Sequence, residues 1–155
     1  MRSAGILLYR RHAGAIEVLL VHPGGPFWRK KDLGAWSIPK GEYVHGEEPL
    51  AVARREFEEE TGASLSGDFL PLGEITQRGG KIVTAFALEA DLDPKALRSN
   101  VFEIEWPPRS GRRQAFPEVD RAEWFRPEEA HQKILPAQRT FVTRLLAALE
   151  PRSIA

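Results

Sequence analysis

Residues 41–63 of the chain read GEYVHGEEPLAVARREFEEETGA, and they decide how the rest is understood. Pro49 stands as a first-turn residue and Gly62 as a stop, so the stretch between them predicts one helix. Leu50, Ala53 and Phe57, at i, i+3 and i+7, make its core face. Glu56, Glu59 and Glu60, at i, i+3 and i+4, project together from a side roughly a quarter turn away. These acids occupy the last turns, where the macrodipole is negative and each carboxylate is disfavoured by about 0.3–1 kcal/mol. Like charges at i, i+4 add to that cost, and no Lys or Arg follows within the helix to offset it. A sequence chosen only for stability would not place them here. Hard oxygen donors gathered this tightly are what Mg²⁺, Mn²⁺ or Ca²⁺ coordinate, and Mg²⁺ is commonly held by one or two carboxylates plus substrate phosphates. On spacing alone a solvated acidic face stays open as the alternative.

Working outward, the charges are unevenly distributed. Between 41 and 63 there are seven acids and two bases, or −5; the other 132 residues hold 20 bases and 15 acids, or +5, and the 155-residue chain sums to zero. Arg29, Lys30, Lys31 and Lys40 lie just before the acidic stretch, opposed only by Asp32. A neutral sum argues against a whole-surface nucleic-acid or membrane binder. The absence of Cys excludes disulfides, Cys-ligated zinc and thiol nucleophiles. Nothing approaches an apolar 18-mer or a signal peptide, which leads us to expect a soluble cytoplasmic protein. With 42% hydrophobic and 28% charged residues, the length fits one domain spanning 1–155.

Ala4 to Arg10 and Ile16 to His22 read as a hairpin, followed by a break at Pro23-Gly24-Gly25-Pro26 and a polar loop to Gly34 carrying Trp28. Trp36-Ser37-Ile38 reads as a short strand closed by Pro39. After the acidic helix come strands near Leu70 to Thr76, Ile82 to Ala90 and Val101 to Trp106, a loop from Pro107 to Pro117, and a strand at Ala122 to Phe125. Pro136 opens a final helix striped by Phe141, Val142, Leu145, Leu146, Ala148 and Leu149. Strands interleaved with two helices predict a mixed sheet covered by helices.

The spacing of Gly41, Glu47, Arg55-Glu56, Phe57, Glu59-Glu60 and Gly62-Ala63 resembles the Nudix box of the Nudix hydrolase superfamily; only Ala63, where a larger aliphatic is usual, departs from it. The resemblance implies a Nudix-type α/β/α sandwich with a mixed sheet and hydrolysis of a nucleoside diphosphate linked to another group, with Mg²⁺ or alternatively Mn²⁺. It further implies Glu56, Glu59 and Glu60 as metal ligands, the Gly41 carbonyl as another oxygen, Arg55 as the residue that orients a helix carboxylate, and Glu47 as a structural tie. Family members often recruit one more Glu after the box. Of Glu103, Glu105 and Glu118, the loop acid Glu118 fits best as further ligand or base, since the other two alternate with apolar residues in a strand.

Trp36-Ser37-Ile38-Pro39-Lys40-Gly41 resembles the Trp-x-x-Pro-Lys-Gly lead-in of the Nudix subset that cleaves dinucleoside polyphosphates and related substrates. Lys40 would then hold a phosphate, Arg29 and Lys31 could extend contact to a long phosphate chain, and Trp28 could stack a base. The subset's stacking tyrosine beyond the box has no counterpart, because Tyr9 and Tyr43 both precede that region. The leading expectation is a pyrophosphohydrolase of a small nucleotide, either a dinucleoside polyphosphate such as diadenosine tetraphosphate or a nucleoside triphosphate. A non-catalytic nucleotide-binding module and an RNA 5′-end pyrophosphohydrolase are the alternatives, the latter disfavoured by a neutral chain.

Overall fold

Ile6, Leu7 and Leu8 are consecutive and fully buried, so the strand that holds them must be covered on both faces. In the computed structural model, which describes residues 1–150, that strand, β1 (Arg2–His12), lies inside a six-stranded sheet. β2 (Ala15–Pro23) returns antiparallel through Ala13-Gly14, both at positive φ, and pairs with the end of β1. β3 (Lys40–Tyr43) pairs antiparallel with the start of β1. Helix α1 (Pro49–Thr61) follows, then β4 (Leu70–Thr76) and β5 (Ile82–Glu89). β5 runs parallel to β1, with β4 antiparallel outside it. β6 (Val101–Glu105) and β7 (Arg113–Pro117) make a separate two-stranded ribbon. β8 (Val119–Phe125) closes the far edge against β2, before helices α2 (Pro127–Lys133) and α3 (Arg139–Leu149).

Alternation along the strands divides the core. Ile6, Leu8, Leu19 and Val21 face α1 through Val52, Ala53 and Phe57. Leu7, Val18, Leu20 and Phe125 face α2 and α3 through Ala130, Phe141, Val142 and Leu145. The result is the expected α/β/α sandwich with a mixed sheet. No helix among the described residues is long and apolar enough to cross a membrane.

Several local expectations change. The segment 107–117 is only partly loop, because Arg113–Pro117 pairs with β6; its residues are largely exposed and carry no apolar alternation to betray a strand. α2 escapes periodicity analysis because it has seven residues and buries only Ala130. β3 is likewise short and polar. Trp36-Ser37-Ile38 makes isolated bridges, Val21 to Ser37 and Trp36 to Ile134, rather than a strand, and Pro136 opens a 3₁₀ turn, with α3 starting at Arg139. On α1, Val52 takes the inward place expected of Leu50, which stays half-buried in the first turn.

Gln138, fully buried, fastens the segment leading into β3. Its Oε1 accepts from Ile38 N at 3.0 Å, and its Nε2 donates to Ser37 Oγ at 3.0 Å and Gln77 Oε1 at 2.9 Å. Gln138→Leu leaves the buried Ile38 N–H without its acceptor, and we expect a loss of about 1–3 kcal/mol in urea denaturation; an unchanged midpoint would contradict this.

Candidate active site

Both ends of α1 are capped by means the composition hides. At the start, the Glu48 carboxylate accepts from Leu50 N and Ala51 N at 3.2 and 3.0 Å. At the end, Gly62 takes the left-handed conformation, φ 84°, and its N–H reaches Glu58 O at 2.7 Å. Arg98 N donates to Thr61 O and Asn100 N to Glu59 O, each at 2.9 Å. The carbonyls of Glu58, Glu59 and Thr61 are thus met by backbone donors, leaving the acidic side chains to other partners.

Arg55 lies between an acid of the preceding loop and one of the helix, its guanidinium 2.9 Å from Glu47 Oε2 and 3.8 Å from Glu56 Oε1. Glu47 also accepts from Val44 N at 3.1 Å, so it ties the preceding loop to the helix, and the Arg55 bond holds its carboxyl below the usual range. The Glu56 carboxyl lies directly against Gly41 of β3, where any Cβ would overlap it. Burial, and then the charge of Glu59, pushes Glu56 above the ordinary carboxylate value. Glu60 is pushed further, to about 8, by burial, with the Lys40 ammonium opposing. Burial likewise lowers Lys40, with Glu60 opposing.

A backbone relay delivers Glu118 to this helix. Asn100, bonded through its N–H to Glu59 O, accepts Glu118 N at its own carbonyl at 2.8 Å, and Glu118 O accepts from Gly24 N at 2.8 Å. Gly24 has to be glycine, since a Cβ there would collide with the Pro117 carbonyl. Burial, then the Glu59 charge, raises the Glu118 carboxyl. No sequence signal marks Asn100, because its part is played by backbone atoms.

Glu60, Glu118, Lys40 and Trp28 line one cavity of about 210 Å³, whose remaining walls include Ser37 and the apolar Val21, Ile38, Val119 and Leu135. Glu56 and Glu59 stand on the helix beside it. Arg29, Lys30 and Lys31 do not line it; they line a second cavity on the other side of their loop, with Arg121 and Lys133. Lys31 Nζ remains 5.1 Å from the Trp28 ring centre. Glu103 and Glu105 are exposed on the ribbon, where they meet Arg113 and the Arg109 N–H. Trp36 belongs to the core, 1% exposed.

The donor set suits a hard divalent cation. Glu60 Oε2 is buried with no hydrogen-bond partner, so it is an acceptor wanting a positive charge. The neighbouring acids raise one another's pKa, a repulsion that a cation relieves. Among the described residues no three of these side chains converge on one metal-sized point, a splay that carboxylate repulsion favours.

Linkage gives a test. An acid with a raised folded-state pKa stabilises the fold fully below its unfolded value and loses that contribution as pH rises through the folded one. In chelator, stability should therefore fall between the ordinary carboxyl value of 4.5 and about 8 through Glu60. Glu60→Gln, lacking the buried charge, should be more stable than wild type at the upper end by about 1–3 kcal/mol and equal to it at the lower end. Urea unfolding at both pH values checks this.

A family model described as NUDIX domain matches residues 1–145. The chain is 32% identical over 124 residues to the octanoyltransferase of Myxococcus xanthus, a match covering 80% of this chain and only 30% of that longer protein. An Ap4A hydrolase of C. elegans in a binary complex superposes with a TM-score of 0.67 at 22% identity, covering 95% of this chain and 97% of its own. The NUDIX domain of Shewanella oneidensis NrtR, complexed with ADP ribose, gives 0.66 at 16%, with 97% and 88% covered. A MutT protein from Methanosarcina mazei Go1 gives 0.65 at 18%, with 97% and 96% covered. At these identities the solved structures speak to the fold.

Proposed function

The chain belongs to the NUDIX domain family, and we propose that this pyrophosphohydrolase, working as one domain over 1–155 in the cytoplasm, hydrolyses a dinucleoside polyphosphate of the diadenosine tetraphosphate kind or a nucleoside triphosphate. The carrying observation is that Lys40, Glu60 and Glu118 face one cavity beside Glu56 and Glu59. The Trp36-x-x-Pro39-Lys40-Gly41 sequence and the likeness of fold to an Ap4A hydrolase support the substrate class.

Glu56, Glu59, Glu60 and Glu118, with the Gly41 carbonyl, would hold Mg²⁺, for which Mn²⁺ could substitute. When bound, such an ion neutralises phosphate charge and acidifies coordinated water. Arg55 keeps Glu56 aimed towards Gly41. Lys40, fixed after Pro39, attracts a phosphate oxygen as a point charge. Glu118, lining the cavity from the segment between β7 and β8, accepts at its carboxylate the proton that the attacking water loses. Trp28 offers a ring at the cavity rim for a nucleobase.

Incubation with a nucleotide panel and Mg²⁺ should release nucleotide products, and reaction in ¹⁸O-labelled water shows which phosphorus is attacked. Glu59→Gln and Glu60→Gln should each lower kcat about 100-fold or more, comparable to loss of a strong electrostatic contact in a transition state. Lys40→Ala should act mainly on KM, by about tenfold. A panel without turnover under any divalent ion would overturn the proposal.

A further inference from the structure

The second cavity, on the other side of the Trp28 loop, has a volume of about 220 Å³ and is lined by Arg29, Lys30, Lys31, Asp32, Trp36, Arg121, Glu123 and Lys133. Five bases against two acids give that wall a charge of 5 − 2 = +3. Asp32 is already engaged: Lys133 bonds one carboxylate oxygen and Trp36 Nε1 the other, at 2.8 Å, and its pKa is lowered by the Lys133 bond first. The Arg121 guanidinium lies over the Trp36 ring, 5.0 Å from its centre. Trp36 itself is buried against Phe125 on the side of the sheet that faces α2 and α3. The cavity therefore has an ordered floor, and Arg29, Lys30 and Lys31 rise from it as exposed cations.

We propose that this cavity is a second anion site, separate from the one beside α1, and that it takes a diphosphate group. A water fills about 30 Å³ of liquid, so the space equals about seven waters. That accommodates two linked phosphates, and walls so rich in charge offer little to a nucleoside. Clustered cations also favour an anion that several of them can contact at once.

The two cavities communicate through Lys31. The loop backbone is fixed, because Lys31 N donates to Trp28 O at 2.9 Å and Lys31 O is 2.6 Å from Nε2 of the fully buried His22. His22 Nδ1 in turn lies 2.9 Å from Asp120 Oδ1. The exposed Lys31 ammonium, by contrast, lies 5.1 Å from the Trp28 ring centre and makes no ion pair among the described residues. An anion in the second cavity draws its ammonium away from the Trp28 ring, altering the rim of the first cavity without moving the loop.

The test is calorimetry on the full chain with sodium pyrophosphate in EDTA, where the uncompensated carboxylates of α1 repel anions. We expect one saturable site, weakened about tenfold in Lys30→Glu and tightened in Glu123→Gln, with affinity falling as salt rises. Pyrophosphate should also change the tryptophan fluorescence, and Trp28→Phe should reduce that change, leaving the part reported by Trp36 in the cavity wall. Equal binding of ATP with the same Lys30 dependence identifies the terminal phosphates of a nucleotide as the ligand; preference for pyrophosphate identifies the free ion. Absence of saturable binding, equal binding of monophosphate, or binding lost in Lys40→Ala but kept in Lys30→Glu would overturn the proposal. Because no turnover and no metal are involved, failure of the hydrolase reading leaves this result unaffected.

Discussion

Glu56, Glu59 and Glu60 share the last turns of α1 with the negative end of the helix's own dipole, and the surroundings are arranged around that concentration of charge. Backbone donors from Gly62, Arg98 and Asn100 meet the terminal carbonyls. None of them neutralises a side chain. The helix end is thereby kept intact while its carboxylates stay uncompensated. The same bonds locate what comes next: Asn100 passes the position of the helix to Glu118, and Glu118 passes it to Gly24 at the root of the Trp28 loop. One helix terminus thus sets the position of a fourth acid nearly sixty residues downstream.

The sheet contributes from the opposite direction. One edge of β1 is shared by β3 near its start and β2 near its end, and Ile6 N, between the two, bonds Pro39 O at 3.1 Å. That junction introduces the segment ending in Lys40 beside α1. Gln138 fastens it from the turn just before α3, so the lead-in to the last helix helps place a lysine of the third strand. Both helical layers therefore meet at the cavity, although only α1 lends acids to it.

Much of this was legible in the chain. Apolar runs announced β1, β2 and β5, and Pro49 and Gly62 bounded α1 correctly because proline and glycine act through local backbone geometry. The acidic cluster could be singled out by spacing and Lys40 through the resemblance of Trp36–Gly41 to a known lead-in, and the structure does bring Glu60, Lys40 and Glu118 together. What escaped depends on contacts between distant segments. β7 and α2 are too exposed or too short to show a period. Asn100 acts through its main chain, and Gln138 and His22 acquire their partners only when segments far apart in sequence meet. Arg29 and Lys31 were visible as charges, but which side of their loop they would line was decided by Trp36 and Arg121 packing beneath them.

Glu60 Oε2, buried and unpartnered, also bears on how such a chain would drift. A carboxylate that costs folding energy persists only while something outside the fold rewards it. Were a lineage to lose its need for the reaction, replacements at this position would be favoured by stability itself. Such a descendant would keep the sandwich, the caps of α1 and the Gln138 fastening, and would discard its chemistry first. Glu60 is thus a position, among the described residues, where the needs of the fold and those of the proposed reaction pull in opposite directions.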